Sequence, residues 1–211
     1  GKLPITETGL ADAFSKSDQY LHFEHTSVFK DKSLPSRLCV VTVGTPLTGE
    51  KTVNLNYIYS VIDFIEQSKS SDDTIVVLRS TVPVGTSDKL QNHLLANGSK
   101  TKVVMSPERT VEGKAIEELF TNPQIIGSSW LWESLSVYKL FSKLSNKITL
   151  FPSPTHAELA KLADNTYRDL HFAYSNFFCR VSASLGLQGS SIISAVNDDY
   201  QRNSVASPSI G

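Results

Sequence analysis

Short runs of β-branched and aliphatic residues alternate along most of this chain with stretches whose apolar residues recur every three or four positions. Leu38 to Val43 is apolar at every position but Thr42, continuous rather than alternating, the pattern of a buried strand. It is followed by Asn54 to Lys69, where Leu55, Ile58, Ile62 and Ile65 fall at helical spacing. Thr74 to Leu78 predicts a second buried strand, and Ser87 to Ala96 a helix stopped by Asn97-Gly98. Lys102 to Met105 and Gln124 to Gly127 predict two more strands, Trp130 to Leu144 a helix, and Lys147 to Phe151 a last strand. Strand and helix in alternation, with strands apolar on both sides, predict an α/β fold: a parallel sheet covered on both faces.

Beyond Pro154 the pattern changes. Thr155 to Leu185 contains neither Gly nor Pro, and about 30 residues of unbroken helix would run about 45 Å. Helices of that length commonly bridge domains or form subunit interfaces. Ser190 and Ser191 are candidate caps for a second, short helix through Asn197, and the Ser/Pro-rich stretch from Tyr200 reads as loop. A boundary near Phe151-Pro152 is therefore expected, with residues 1–151 forming the α/β domain and 152–211 a helical one. The segment before Ser33 is poorly patterned.

Composition narrows the function classes. A net charge of −1 over 211 residues gives no electrostatic reason to expect nucleic acid or an anionic membrane as partner. No stretch approaches the roughly 20 apolar residues of a membrane span, and the start has no signal-peptide pattern. Cys39 and Cys179 lie far apart, in an apolar run and a helical pattern, and read as core residues of a reducing, cytoplasmic environment. His22 and His25 could share a helix face, but no third ligand follows at zinc spacing, so no metal is expected.

Four stretches could carry chemistry. Val41 to Pro46 ends the first strand in small residues and a proline. Arg79 to Thr86 ends the second in hydroxyls, with Thr81 at the strand's carboxyl end, where open α/β sheets bind ligands. Taken alone, the first is more simply an ordinary strand-ending turn, and in the second Thr86 or Ser87 is a candidate helix cap. In Ser106 to Gly113 two carboxylates, Glu108 and Glu112, stand four apart and would share a face if the stretch were helical. They are then a base and a positioning group, or the solvated acidic start of a helix. On the long helix Glu158, Lys161, Asn165 and Arg168 share a face. Lys161 and Asn165 could both donate to an oxyanion, or the row could be a salt-bridged surface.

Together and in this order, the four stretches resemble the UDP-glucose/GDP-mannose dehydrogenase family, with the branch acting on UDP-N-acetyl-hexosamines or related polysaccharide precursors the nearest match. They read Val-Gly-Thr-Pro-Leu at 43–47, Ser-Thr-Val-Pro-Val-Gly-Thr at 80–86, Ser-Pro-Glu-Arg-Thr-Val-Glu-Gly at 106–113, and Ala-Glu-Leu-Ala-Lys-Leu-Ala-Asp-Asn-Thr-Tyr-Arg at 157–168. The resemblance covers nearly all of 34–211. It implies an NAD-binding Rossmann domain, a central domain built on a long helix that pairs two subunits, and oxidation of a UDP-sugar's C6 alcohol to the acid in two NAD-dependent steps. It places Thr45, Pro46 and Thr81 near the cofactor and Glu108 in the active site. Glu112 would stand beside the nicotinamide and assist hydrolysis, while Lys161 and Asn165 would hold the C6 oxyanion. Asn176 also matches; Phe177 stands where many members have Glu.

The family's Gly-x-Gly-x-x-Gly turn and nucleophilic cysteine have no counterpart in the chain, and neither Cys39 nor Cys179 matches the latter. The expectation is a fragment of the enzyme, inactive alone. The alternatives are a non-catalytic scaffold or interaction module of the same descent, and a dehydrogenase of the 6-phosphogluconate type, against which the Ser80 and Ser106 motifs argue.

Overall fold

A computed structural model describes residues 7–17, 37–68, 72–202 and 204–209. His22 and His25 lie outside them. Two compact units emerge, Gly1–Lys161 and Leu162–Gly211.

Among the described residues the first unit is built on five strands, β1 (Leu38–Val41), β2 (Ile75–Leu78), β3 (Lys102–Met105), β4 (Gln124–Gly127) and β5 (Ile148–Phe151), paired in that order. Five helices of this unit lie between or before them: α1 (Leu10–Ser17), α2 (Asn56–Ser68), α3 (Thr86–Ala96), α4 (Ala115–Thr121) and α5 (Leu131–Phe141). The period-2 alternation of the strands sorts their side chains onto two faces. Val76, Leu78, Val103, Met105 and Ile125 pack against Ile58, Ile62 and Ile65 of α2 and Leu90 and Leu94 of α3. The intervening Val77, Val104 and Ile126 pack against Val137 and Phe141 of α5. Both faces are thus covered over β2, β3 and β4, which is why these read as continuous apolar runs, whereas the outer strands β1 and β5 leave Val40 and Leu150 exposed.

The sheet departs from the expected all-parallel form at one joint. β1–β2, β2–β3 and β4–β5 are parallel, but β4 runs antiparallel to β3, with Met105 opposite Gly127. An apolar strand buried on both faces looks alike in either direction, so the sequence pattern carries no sign for this. α3 ends as expected. Gly98 takes the left-handed conformation at φ 74°, and the Ser99 N–H closes onto the Leu94 carbonyl at 2.9 Å.

Helix starts were less legible. The Ser106–Gly113 stretch is not helical, and α4 begins only at Ala115. α1 arises in the segment that shows no clear pattern. Neither Thr86 nor Ser87 caps α3, because the cap position is Gly85, at φ 86° and without a side chain. The Thr86 hydroxyl instead donates to the Pro83 carbonyl at 2.6 Å.

α6 (Pro154–Ser184) begins on the first unit and runs on into the second. The second unit adds α7 (Gly189–Asn197), whose cap position is Gln188 rather than Ser190 or Ser191. The backbone of Gly189 lies so close to α6 that a Cβ there would sit 2.7 Å from both Cα and Sγ of Cys179. Two side-chain amides fasten the final segment. Asn176 exchanges hydrogen bonds with the Ser209 carbonyl (2.5 Å) and N–H (3.2 Å), and Asn197 does the same with Val205 (2.8 and 2.7 Å). Each amide reproduces the donor and acceptor of a peptide and so pins a loop that pairs with no strand.

Candidate active site at the carboxyl ends of the strands

The turns that leave β1 and β2 are stitched to one another. The Thr45 hydroxyl donates to the Thr81 carbonyl at 2.7 Å, and the Ser80 hydroxyl donates to the Val43 carbonyl at 2.6 Å. These reciprocal bonds explain the hydroxyls in both motifs: they satisfy carbonyls that have just left the strand ladder. Beside them Val43, Gly44, Thr45, Pro46, Tyr57, Ser60 and Val61 line an open depression of about 790 Å³. Nothing stands within 4 Å of a Cβ position at Gly44, so the backbone there is open to close approach by a flat ligand.

The turn after β3 is joined to β2 through Glu108. Its N–H donates to the Arg79 carbonyl at 3.0 Å. Its Oε2 receives the Arg79 guanidinium from Nη2 at 2.5 Å and Nε at 3.2 Å, and its Oε1 receives the N–H groups of Arg109 (2.8 Å) and Thr110 (3.0 Å). Arg79 is only 5% exposed; its guanidinium carbon lies 4.9 Å from the centre of the Phe141 ring, and Nη1 reaches the Ser106 hydroxyl at 3.4 Å. Burial pushes the Glu108 carboxyl up, but the Arg79 hydrogen bond and charge and the two backbone N–H groups outweigh it and hold the group below the ordinary carboxylate range. Glu108 is therefore a fixed anion near neutrality and cannot serve as a proton donor there.

Because the stretch is loop rather than helix, Glu108 and Glu112 do not form the pair that a shared helix face would have made. Glu112 sits exposed in the turn before Gly113. That turn is held from afar: both oxygens of Glu7 accept N–H groups that open α4, from Gly113 at 2.7 Å and Ala115 at 3.2 Å.

Of the row on the long helix, Glu158 is not part of a solvated, salt-bridged surface. It is 1% exposed, its Oε2 accepting the Gly85 N–H at 2.6 Å and its Oε1 the Ser87 N–H at 2.7 Å. It thus supplies the cap that α3 lacks. Lys161, half-buried, is the last residue of the first unit. Asn165, four positions on, belongs to the second, where its Oδ1 accepts Arg168 Nη2 at 3.4 Å. Sequence reasoning missed the Arg79–Glu108 pair and both distant caps. The available signal was a helix start, Gly85-Thr86, with no capping side chain at the cap position.

Burial raises the Cys39 thiol above its usual range, which suits a packing residue rather than a nucleophile. No cluster able to hold a metal ion occurs among the described residues, and no described helix is long and apolar enough to cross a membrane.

Removing the Arg79 charge makes a checkable difference. Arg79→Met is expected to cost about 2 kcal/mol, below the 3–5 kcal/mol of a fully buried broken pair because Glu108 is partly solvated. The lowered Glu108 pKa contributes stability that is present above the unfolded-state pKa and is lost as pH falls through the folded one. Urea titrations across the acid range should show that loss in the parent protein and a flatter acid limb in Arg79→Met. Parallel acid limbs would separate Glu108 from Arg79.

A mainly parallel sheet whose turns are cross-linked at the strands' carboxyl ends has the layout of the α/β nucleotide-binding folds, which place their ligands there. Residues 1–145 match the NAD binding domain of the UDP-glucose/GDP-mannose dehydrogenase family, and the chain belongs to that family. Over 153 residues it is 31% identical to the UDP-N-acetyl-D-mannosamine dehydrogenase of Methanocaldococcus jannaschii, covering 71% of this chain and 35% of that one. It is 26% identical to the UDP-glucose 6-dehydrogenase of Rickettsia bellii, covering 87% of this chain and 43% of the other. The solved UDP-D-ManNAc dehydrogenase of Pyrococcus horikoshii superposes with a TM-score of 0.84 at 26% identity, over 99% of this chain and 50% of that one. The chain spans about half or less of the length of the relatives it matches.

The cofactor of that domain fits what stands here: an open backbone at Gly44, a largely apolar depression beside it, and Thr45 and Pro46 in its lining.

Proposed function

We propose that this chain is part of an NAD-dependent nucleotide-sugar 6-dehydrogenase that oxidises the C6 alcohol of a UDP-sugar to the uronic acid in two steps, as in the building of polysaccharide precursors. The supporting observation is that the three motif-bearing turns after β1, β2 and β3 are hydrogen-bonded into one platform in a chain of this family. On this reading residues 1–151 are the larger part of an NAD-binding domain and 152–211 the start of a helical central domain.

Thr45, Pro46 and Thr81 would hold NAD, whose nicotinamide takes the hydride. Lys161 and Asn165 would donate to the C6 oxygen as charge develops on it. Glu108, fixed as an anion by Arg79, would shape the pocket. The exposed Glu112, as a carboxylate, would be the base that takes a proton from the water whose oxygen ends in the product acid. Along α6 and within the second unit, Tyr167, Leu170, Tyr174, Phe177, Phe178 and Val181 are exposed at three- and four-residue spacing. This is a seam suited to a second copy of the helix, and a cytoplasmic homodimer is part of the proposal.

The test is NADH formation by the whole gene product supplied with NAD and either UDP-N-acetyl-D-mannosamine or UDP-glucose. Two NADH per sugar oxidised, from a species of twice the chain mass by sedimentation equilibrium, is the expected result. No NADH from either sugar, together with no NAD-induced movement of the Gly44, Thr45 and Thr81 amide resonances, would leave the scaffold reading in its place.

A further inference from the structure

We propose that Glu158 is a positioning residue that sets the register of α6, and with it Lys161, against the loop that carries Thr81. The inference rests on the functional reading above for the roles of Lys161 and Thr81, but its physical basis is separate. A helix N-terminus needs acceptors for its first N–H groups, and a Ser, Thr, Asp or Asn at the cap position ordinarily supplies one. Such a local cap would satisfy α3 without tying it to anything else. Here the cap position is a glycine, and the acceptor comes from a carboxylate 71 to 73 residues further along the chain.

Burying a carboxylate is costly unless its oxygens are matched by donors, and this one has a backbone N–H on each oxygen at the positive end of a helix. The Thr155 hydroxyl, one turn earlier on the same face of α6, donates to Asp88 Oδ2 in the first turn of α3 at 3.0 Å. Two adjacent turns of α6 are therefore fastened to one turn of α3.

The consequence follows from what lies on either side of the joint. Gly85 closes the loop that begins at Ser80, and the Thr81 carbonyl in that loop accepts the Thr45 hydroxyl. Lys161 is three residues after Glu158, one helical turn. From α6 the line thus runs through the Glu158 hydrogen bonds to Gly85, along the four residues of chain back to Thr81, and across the hydrogen bond to Thr45. A slip of α6 by a single residue would carry Lys161 about 1.5 Å along the helix axis.

Glu158→Gln tests this, because it keeps the size and one acceptor but turns the other oxygen into an amide NH2 that meets an N–H donor. Expected in this chain are amide exchange at Gly85 and Ser87 faster by about 10-fold, shifted resonances at both Thr81 and Lys161, and unchanged ones at Val77 and Val104. In the whole gene product, assayed well below its Tm, kcat per folded molecule should fall at least ~10-fold while KM for NAD stays within ~2-fold, since small misplacements of a reacting group cost rate. Faster exchange with unchanged kcat would make Glu158 a helix cap and nothing more. Unmoved Thr81 and Lys161 resonances would overturn the proposal whether or not the protein turns over sugar, whereas absent parent activity alone would count against the functional reading. Should Glu158→Gln fail to fold, Thr155→Val removes the outer bond only and should move the same two resonances by less; no movement there would also overturn it.

Discussion

Gly127→Ala is expected to lower the unfolding free energy by about 3 kcal/mol, at the upper end of overpacking costs, and Tm by about 6–12 °C for a protein of this size. Gly127 ends β4, buried, facing the turn into α6. A Cβ there would lie 2.5 Å from the Ser153 carbonyl oxygen, 2.9 Å from the Ala157 Cβ and 3.1 Å from the Pro154 Cα. Two of these three neighbours are backbone atoms, so no side-chain rotation relieves the contact. β4 is held on both sides, by Met105 of β3 and Phe151 of β5 opposite this residue, so the strand cannot retreat either. The substitution therefore lifts the first turn of α6 off the sheet. Gly113→Ala is the contrast: at φ 87° and in open space, it adds backbone strain alone and should cost about 1 kcal/mol. Thermal unfolding followed by circular dichroism separates the two; a Gly127→Ala protein that melts within ~2 °C of the parent would show that α6 is not seated on β4 as described.

Lys161→Ala is expected to lower kcat of the whole gene product by about 100-fold or more, the scale of losing one oxyanion donor. The ammonium would matter only once negative charge builds on the C6 oxygen, so the loss should fall on kcat with KM for NAD nearly unchanged. Lys161 is half-buried at a helix position where alanine is at least as favourable, so the helix is kept, and Tm measured beside kcat separates lost chemistry from lost structure. Asn165, one turn on, would retain part of the stabilisation, which is why the loss is not total. Unchanged turnover would remove Lys161 from the reacting centre, and a fall in kcat that disappears when the assay is normalised to folded protein would mark it as structural.

Much of the fold was legible because its determinants are local. The limits of β3 and β4 match the apolar runs that predicted them, and α2, α3 and α6 lie within a few residues of their predicted limits. Hydrophobic period and turn chemistry act over a few residues, and both are written in the chain. The motif turns at the carboxyl ends of β1, β2 and β3 were legible for the same reason, since a strand's direction and end locate the turn that follows. Tertiary structure alone decided three things. It decided that β4 opposes β3, because a strand buried on both faces carries no mark of its direction. It decided that Glu108 pairs with Arg79 from the neighbouring strand, 29 residues away, rather than with Glu112. And it placed Glu158, which helical spacing puts in line with Lys161, at the start of α3. Helical spacing tells which residues share a face but not how far along the helix that face is covered. Charges and unpaired backbone groups are satisfied by whatever is near in space, and in this molecule the partners of Glu7, Arg79 and Glu158 are far away in sequence.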